Sequence, residues 1–205
     1  MNLPADFVFS QSSLQDYDDC RRRFQLRYIE RLQWPALRAE PALENERLMQ
    51  LGARFHRLVQ QYLTGLPEQR LAAAASEDEN LEQWWGNFIV SFSGLPYISD
   101  YNRDDLQLYS ELVLSADLAG QRLLAKYDLI VRTPPGQLVI FDWKTSRNLP
   151  KAASLAERWQ TRLYPYLLVR AGRLLNDGQE VSPEAVSMVS WFAVYPNQPQ
   201  SCPYT

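Results

Sequence analysis

The chain has 205 residues, enough for one sizeable hydrophobic core. Hydrophobic residues make up 46% and charged residues 22%, ordinary for a globular protein, and no apolar run reaches the roughly 18 residues a membrane span needs. A net charge of −3 and a pI near 5.3 argue against a protein that coats nucleic acid through a broad basic surface, while leaving room for local, metal-bridged contact with phosphate.

The opening segment MNLPADFVFSQSS lacks the basic-then-apolar layout of a secretory signal. Two cysteines, Cys20 and Cys202, give no disulfide framework, so a cytoplasmic, reducing setting is expected. Ser12 or Ser13 is expected to cap a first helix running to about Leu32, with Leu14, Tyr17, Phe24 and Tyr28 in its apolar stripe. A second helix is expected over 43–64, on Leu48, Leu51, Phe55, Leu58, Val59 and Tyr62. The stretch LAAAASEDENLE (71–82) reads as a helix end, a short loop and a new start, leading into a third helix over 80–92. Residues 107–117, 121–132 and 137–144 read as strands, with turns at Ala119-Gly120 and Thr133-Pro134-Pro135-Gly136. A helix over 153–173 and a strand over 186–195 complete the order. This is an α/β layout, a mixed sheet with helices packed against it, in one domain over 1–205: a mostly helical part (1–105) and an αβ catalytic core (106–205).

The chemistry concentrates where two strands meet at the Pro-Pro-Gly turn. Asp128 lies five residues before Thr133 and Asp142 six after Gly136, so a tight hairpin brings the carboxylates nearly opposite. Opposed residues have Cβ atoms roughly 4.5–5.5 Å apart, and like charges there repel, a repulsion that a divalent cation offsets. A four-residue turn would instead pair Arg132 with Gln137 and put the aspartates on opposite faces. Convergence therefore requires an odd-length loop or a β-bulge. Lys144, two residues past Asp142, leaves the same strand face and can orient water or steady negative charge.

Each feature also has a plainer reading. Asp-x-Lys occurs often as a solvated strand end. Gln160 and Tyr164 share a helical face, as do Arg158 and Arg162, yet Leu163, Tyr164, Leu167 and Leu168 also suit a core, and Gln160 a surface. His56 borders its helix's apolar stripe one turn after Gly52, a boundary histidine unless the aspartates lie beside it, where it would be a natural metal ligand. Arg21, Arg22 and Arg23 suit a solvated helix face as well as phosphate contact.

Taken together, these residues resemble the PD-(D/E)XK nuclease superfamily, and within it the RecB-like branch. The resemblance is carried by SQSSLQDYDDCRRRFQLRYIERL (10–32), GARFH (52–56), KYDLIVR (126–132), VIFDWKTS (139–146) and QTRLY (160–164). Each piece is short; the order and spacing make them specific. The resemblance implies a restriction-endonuclease-like core with N-terminal helical additions. It implies His56, Asp128, Asp142 and the Trp143 backbone carbonyl as ligands of Mg²⁺ or Mn²⁺, Lys144 as catalytic lysine, and Gln160 and Tyr164 as supporting catalytic residues. Glu111 is a candidate supporting carboxylate, and Arg147, Lys151, Arg158 and Arg162 are candidate phosphate contacts. Relatives often carry glycine where this chain has Lys126. Some hold an iron–sulphur cluster on four cysteines; Cys20 and Cys202 alone cannot, so none is expected. The expected activity is a metal-dependent nuclease acting on DNA ends or single strands in repair or recombination, with a protein partner such as a helicase and no membrane. The rivals are a catalytically inactive DNA-binding or scaffold module, and an RNA-directed enzyme on the same fold.

Overall fold

A computed structural model of the chain describes residues 3, 4, 6–32 and 40–204. The first strand, β1 (Val8–Ser10), runs into helix α1 (Gln11–Asp19). Ser10, rather than Ser12 or Ser13, is the cap: its hydroxyl accepts the Ser13 N–H at 3.3 Å, and the Ser13 hydroxyl accepts the Ser10 N–H at 2.9 Å. The expected single helix to Leu32 is interrupted. Cys20 is extended, and the chain continues as α2 (Arg21–Phe24) and a π-helical turn (Gln25–Ile29). Then follow α3 (Glu40–Leu63), α4 (Glu68–Ala75) and α5 (Glu79–Phe92); Asp78 caps α5 by accepting the N–H groups of Asn80 and Leu81.

The second half supplies β2 (Gln107–Leu118), β3 (Gln121–Arg132), β4 (Leu138–Lys144), α6 (Ala152–Ala156), α7 (Trp159–Ala171), β5 (Val186–Phe192) and β6 (Gln200–Pro203). The β2–β3 turn is Ala119-Gly120, both at positive φ (49° and 75°), the twist a two-residue hairpin needs. The helix expected over 153–173 is two helices, because Arg158 is extended between them (φ −67°, ψ 141°). Strand β5 ends at Phe192 rather than at 195, where the chain turns and Tyr195 N–H reaches the Phe192 carbonyl at 3.0 Å.

One mixed sheet organises these pieces. β3 pairs antiparallel with β2 along its whole length, and on its other edge with both β1 (parallel, at 122–124) and β4 (antiparallel, at 129–132). β4 continues parallel to β5, which pairs antiparallel with β6. Since β1 and β4 share one edge of β3 without overlapping, a gap opens between them at residues 125–128. α3, α4 and α5 cover one face, where Phe55, Trp84, Trp85, Phe88, Trp143 and Trp191 pack together. α7 covers the other, on Tyr127, Ile130, Ile140, Leu163, Leu167 and Met188. This is a restriction-endonuclease-like α/β architecture. No helix among the described residues is long and apolar enough to cross a membrane.

Phe55 ties α3 to the sheet: it is fully buried and stacks on Trp191 at 6.1 Å between ring centroids. Phe55→Ala is expected to lower the unfolding free energy by about 3–5 kcal/mol, read from the urea midpoint.

Candidate functional site

Register decides whether the two aspartates meet. In the β3–β4 hairpin Arg132 pairs with Leu138 and Leu129 with Phe141, so the same register carried one step further sets Asp128 across from Asp142. The loop makes this possible. Thr133 N–H bonds the Gln137 carbonyl at 3.0 Å and Gly136 N–H bonds the Thr133 carbonyl at 2.8 Å, leaving Pro134, Pro135 and Gly136 as an odd-length turn with Gly136 at φ 90°. Of the two ways in which the carboxylates could converge, the hairpin uses the odd loop.

A second irregularity lies beside it. In β3, Leu123, Ala125 and Tyr127 face α7, yet so does Ile130, while Leu129 and Val131 face α3 and α5. In β2, Leu112, Leu114 and Ala116 face α7, yet so does Tyr109. The period-two alternation therefore slips once in each strand, between 127 and 130 and between 109 and 112. Pairing is unchanged on either side (Ser110 with Leu129, Leu112 with Tyr127), so the register passes through Glu111 and Asp128. Glu111 carries the distortion, at φ 55°.

Asp128 is held from two directions. Its Oδ1 lies 3.0 Å from His56 Nδ1, and its Oδ2 accepts the Trp143 N–H at 2.9 Å. A strand residue directs its N–H and C=O to the same edge, so the Trp143 carbonyl also faces the gap beside β3. His56 arrives on α3, whose close approach depends on Gly52: a Cβ there would stand 2.9 Å from the Thr145 hydroxyl, next to Lys144. Glu111 pairs with Lys126. His56, Glu111 and Asp128 each offer a ligand atom, all within 4.8 Å of one another. Ligands across one Mg²⁺ stand about 4 Å apart, at roughly 2.0–2.1 Å each from the ion, so small side-chain movements would close this group on a cation.

Asp142 is 5% exposed and belongs to a second, contiguous set. Lys144 Nζ lies 2.7 Å from its Oδ2 and donates to Gln160 Oε1 at 2.6 Å, and Gln160 Nε2 donates to Asp142 Oδ1 at 2.6 Å. The three side chains close a ring at the start of α7. Burial pushes the Asp142 carboxyl above the usual carboxylate range; Lys144 and His56 oppose that shift, and Asp128 adds to it. Tyr164, one turn along α7, is buried against Tyr127 at 4.9 Å between rings, and burial raises its phenol further from ionisation, with the charges of Asp142 and Asp128 adding to the effect.

The arginines divide. Arg158 lines a groove of about 470 Å³ together with Lys144, Gln160, Gln11, Ser146, Asn148 and Ser154. Arg162 lies instead beside an apolar cavity with Trp159 and Tyr166, so the expected Arg158–Arg162 helical pair does not form: Arg158 precedes the first turn of α7. Arg147 donates to Glu44 at 3.0 Å. Gln11, Ser146, Asn148 and Ser154 were not singled out by sequence, and short polar residues in loops carry no pattern that would mark them. Lys126 did carry a signal, as a departure from the expected family pattern.

Burial alone would depress the imidazolium of His56, but the Asp128 hydrogen bond and the charges of Asp128, Asp142 and Glu111 outweigh it, so its pKa stands above the ordinary 6.5. A raised pKa means stability that is full below 6.5 and is lost as pH rises through the folded-state value. In chelator-treated protein, unfolding free energy is expected to fall as pH rises above 6.5, and His56→Ala should flatten that fall in urea titrations across pH 5.5–8.5.

Comparison with known proteins agrees with the fold. A solved structure of a candidate exonuclease from Eubacterium rectale superposes with a TM-score of 0.53 and 13% identity, covering 95% of this chain and 71% of that one. At such identity the likeness concerns the fold. A second solved structure, SSO0001, gives a TM-score of 0.32 and 16% identity over 75% of this chain and 76% of its own, too distant to support a structural comparison. No protein of curated function matches the sequence. The family model of the PD-(D/E)XK nuclease superfamily matches residues 8–201, nearly the whole length, and the chain therefore belongs to the PD-(D/E)XK nuclease superfamily.

Proposed function

We propose that this chain is a divalent-metal-dependent deoxyribonuclease, one domain over residues 1–205, that hydrolyses phosphodiester bonds at DNA ends or single strands. The observation that supports it best is the convergence of His56, Asp128, Asp142, Lys144 and Gln160 at one end of the sheet, beside a polar groove. Carboxylate, imidazole and carbonyl donors suit Mg²⁺ or Mn²⁺. His56, Asp128, Asp142 and the Trp143 carbonyl would hold the ion. Bound there, a divalent cation neutralises phosphate charge and lowers the pKa of water.

The chain's own groups do the rest. The Lys144 ammonium, fixed between Asp142 and Gln160, presents its charge at the groove where a phosphate would lie. Gln160 bonds both Lys144 and Asp142, so one side chain sets the position of two reactive groups. Tyr164, buried against Tyr127 and near the charges of Asp142 and Asp128, keeps its proton. Arg158 stands at the groove wall as a phosphate contact, and Arg147 and Arg162 lie further out. The acidic pI favours a narrow local contact over broad adhesion, and a protein partner such as a helicase would supplement that affinity. The RecB-like pattern of residues 10–32 and 52–56 is what favours repair or recombination as the setting, and the sparse cysteines favour a cytoplasmic site of action.

End-labelled single-stranded and duplex DNA, with matched RNA, test this in Mg²⁺ and in Mn²⁺. Lys144→Ala and Asp142→Asn should each slow cleavage by about 10²–10³-fold or more. Wild type as inert as Lys144→Ala in both metals would replace the enzyme with a scaffold module, and faster cutting of RNA would overturn the assignment of DNA as substrate.

A further inference from the structure

The metal-ligand set inferred from the family pattern omits Lys126 and Glu111, the latter a candidate supporting carboxylate only, although both lie at the same place in the sheet. Glu111, Asp128 and Asp142 occupy successive positions across β2, β3 and β4. A glutamate in the left-handed region is uncommon, because its Cβ crowds the backbone there. The distortion occurs in the one register position opposite Asp128, and the facing of both strands changes with it. As a result the Glu111 carboxylate lies with His56 and Asp128 inside a 4.8 Å group, although side chains further along β2 and β3 follow the ordinary alternation. Its side chain is only 16% exposed, whereas that of Lys126, its ion-pair partner, is 61% exposed. Lys126 pairs by register with Val113, so it reaches Glu111 diagonally across the ladder, from the solvent side.

We propose that Glu111 is a further protein ligand of the divalent-metal centre, contributed by the strand next to the Asp128 strand, and that Lys126 is its counter-ion when no metal is bound. The assignment rests on the metal-dependent reading above and adds a residue to it. The Lys126 ammonium and a divalent cation compete for one carboxylate. Lys126, diagonal to Glu111 across the ladder, and Glu111 form one device. The tight Glu111–Lys126 pairing lowers the repulsion among three neighbouring acids in the ion-free protein, and it gives way when a cation takes over the same charge.

Calorimetric titration of the chelator-treated protein with Mn²⁺, without DNA, tests this apart from activity. Glu111→Gln should weaken Mn²⁺ binding by about 10–100-fold. Lys126→Ala should strengthen it by roughly 1.5–5-fold, the weight of one exposed ion pair. Glu111→Gly removes the whole side chain but suits the positive φ, so it should fold at least as well as wild type in thermal unfolding and still lose affinity. Affinity within twofold of wild type in both Glu111 variants, with Asp128→Asn abolishing binding, would overturn the role of Glu111 and leave the metal centre standing. Weakening by Lys126→Ala would overturn the competition. Absence of Mn²⁺ binding in wild type would remove the metal-dependent reading together with this one.

Discussion

Repulsion among acidic groups governs this end of the molecule. Glu111, Asp128 and Asp142 stand in neighbouring positions on three adjacent strands, where like charges directly opposite are unfavourable. Each is balanced by its own partner: Lys126 for Glu111, His56 and the Trp143 N–H for Asp128, Lys144 and Gln160 for Asp142. The partners come from both sheet faces, His56 from α3 and Gln160 from α7. No single element could supply them, so the two layers of helices must be docked before the acids can be tolerated together.

The sheet topology provides the place for this cluster. Because β1 and β4 take different halves of the same β3 edge, the strand backbone at 125–128 has no paired strand on that side among the described residues, and the Asp128 carboxylate bonds the Trp143 N–H there in place of a ladder carbonyl. Side chains from five elements meet beside the gap: His56 of α3, Glu111 of β2, Asp128 of β3, Asp142 and Lys144 of β4, and Gln160 of α7. The aromatic layer behind it, with Trp143 against Phe88 at 5.4 Å and Phe141 at 5.8 Å, fixes the end of β4 that carries Asp142 and Lys144. Rigid packing one residue away is what allows the polar ring to keep its geometry.

The ring of Asp142, Lys144 and Gln160 illustrates how burial and compensation divide the work. Burial disfavours the Asp142 charge, and the adjacent ammonium restores much of it. Gln160 contributes no charge, yet its amide satisfies one group of each partner, which orients both. Replacing any one of the three would strip each of the other two of one partner, which costs most at the buried Asp142.

Much of this was legible in the sequence. Asp128, Asp142 and Lys144 stand around a Pro-Pro-Gly turn, and the spacing reduced the question to whether the loop was odd or even. His56 and Gln160, distant in the chain, could be tied to those residues only by family resemblance, since helical periodicity says which face a residue occupies and not what that face meets. The three-residue β1, the extended break at Arg158 and the slip at Glu111 gave no local signal at all. Composition, periodicity and turn residues fix elements from neighbours within a few positions. Which strands share an edge, and which carboxylate is drawn out of alternation by the one opposite, depends on contacts between residues far apart in sequence, and tertiary packing alone decided those.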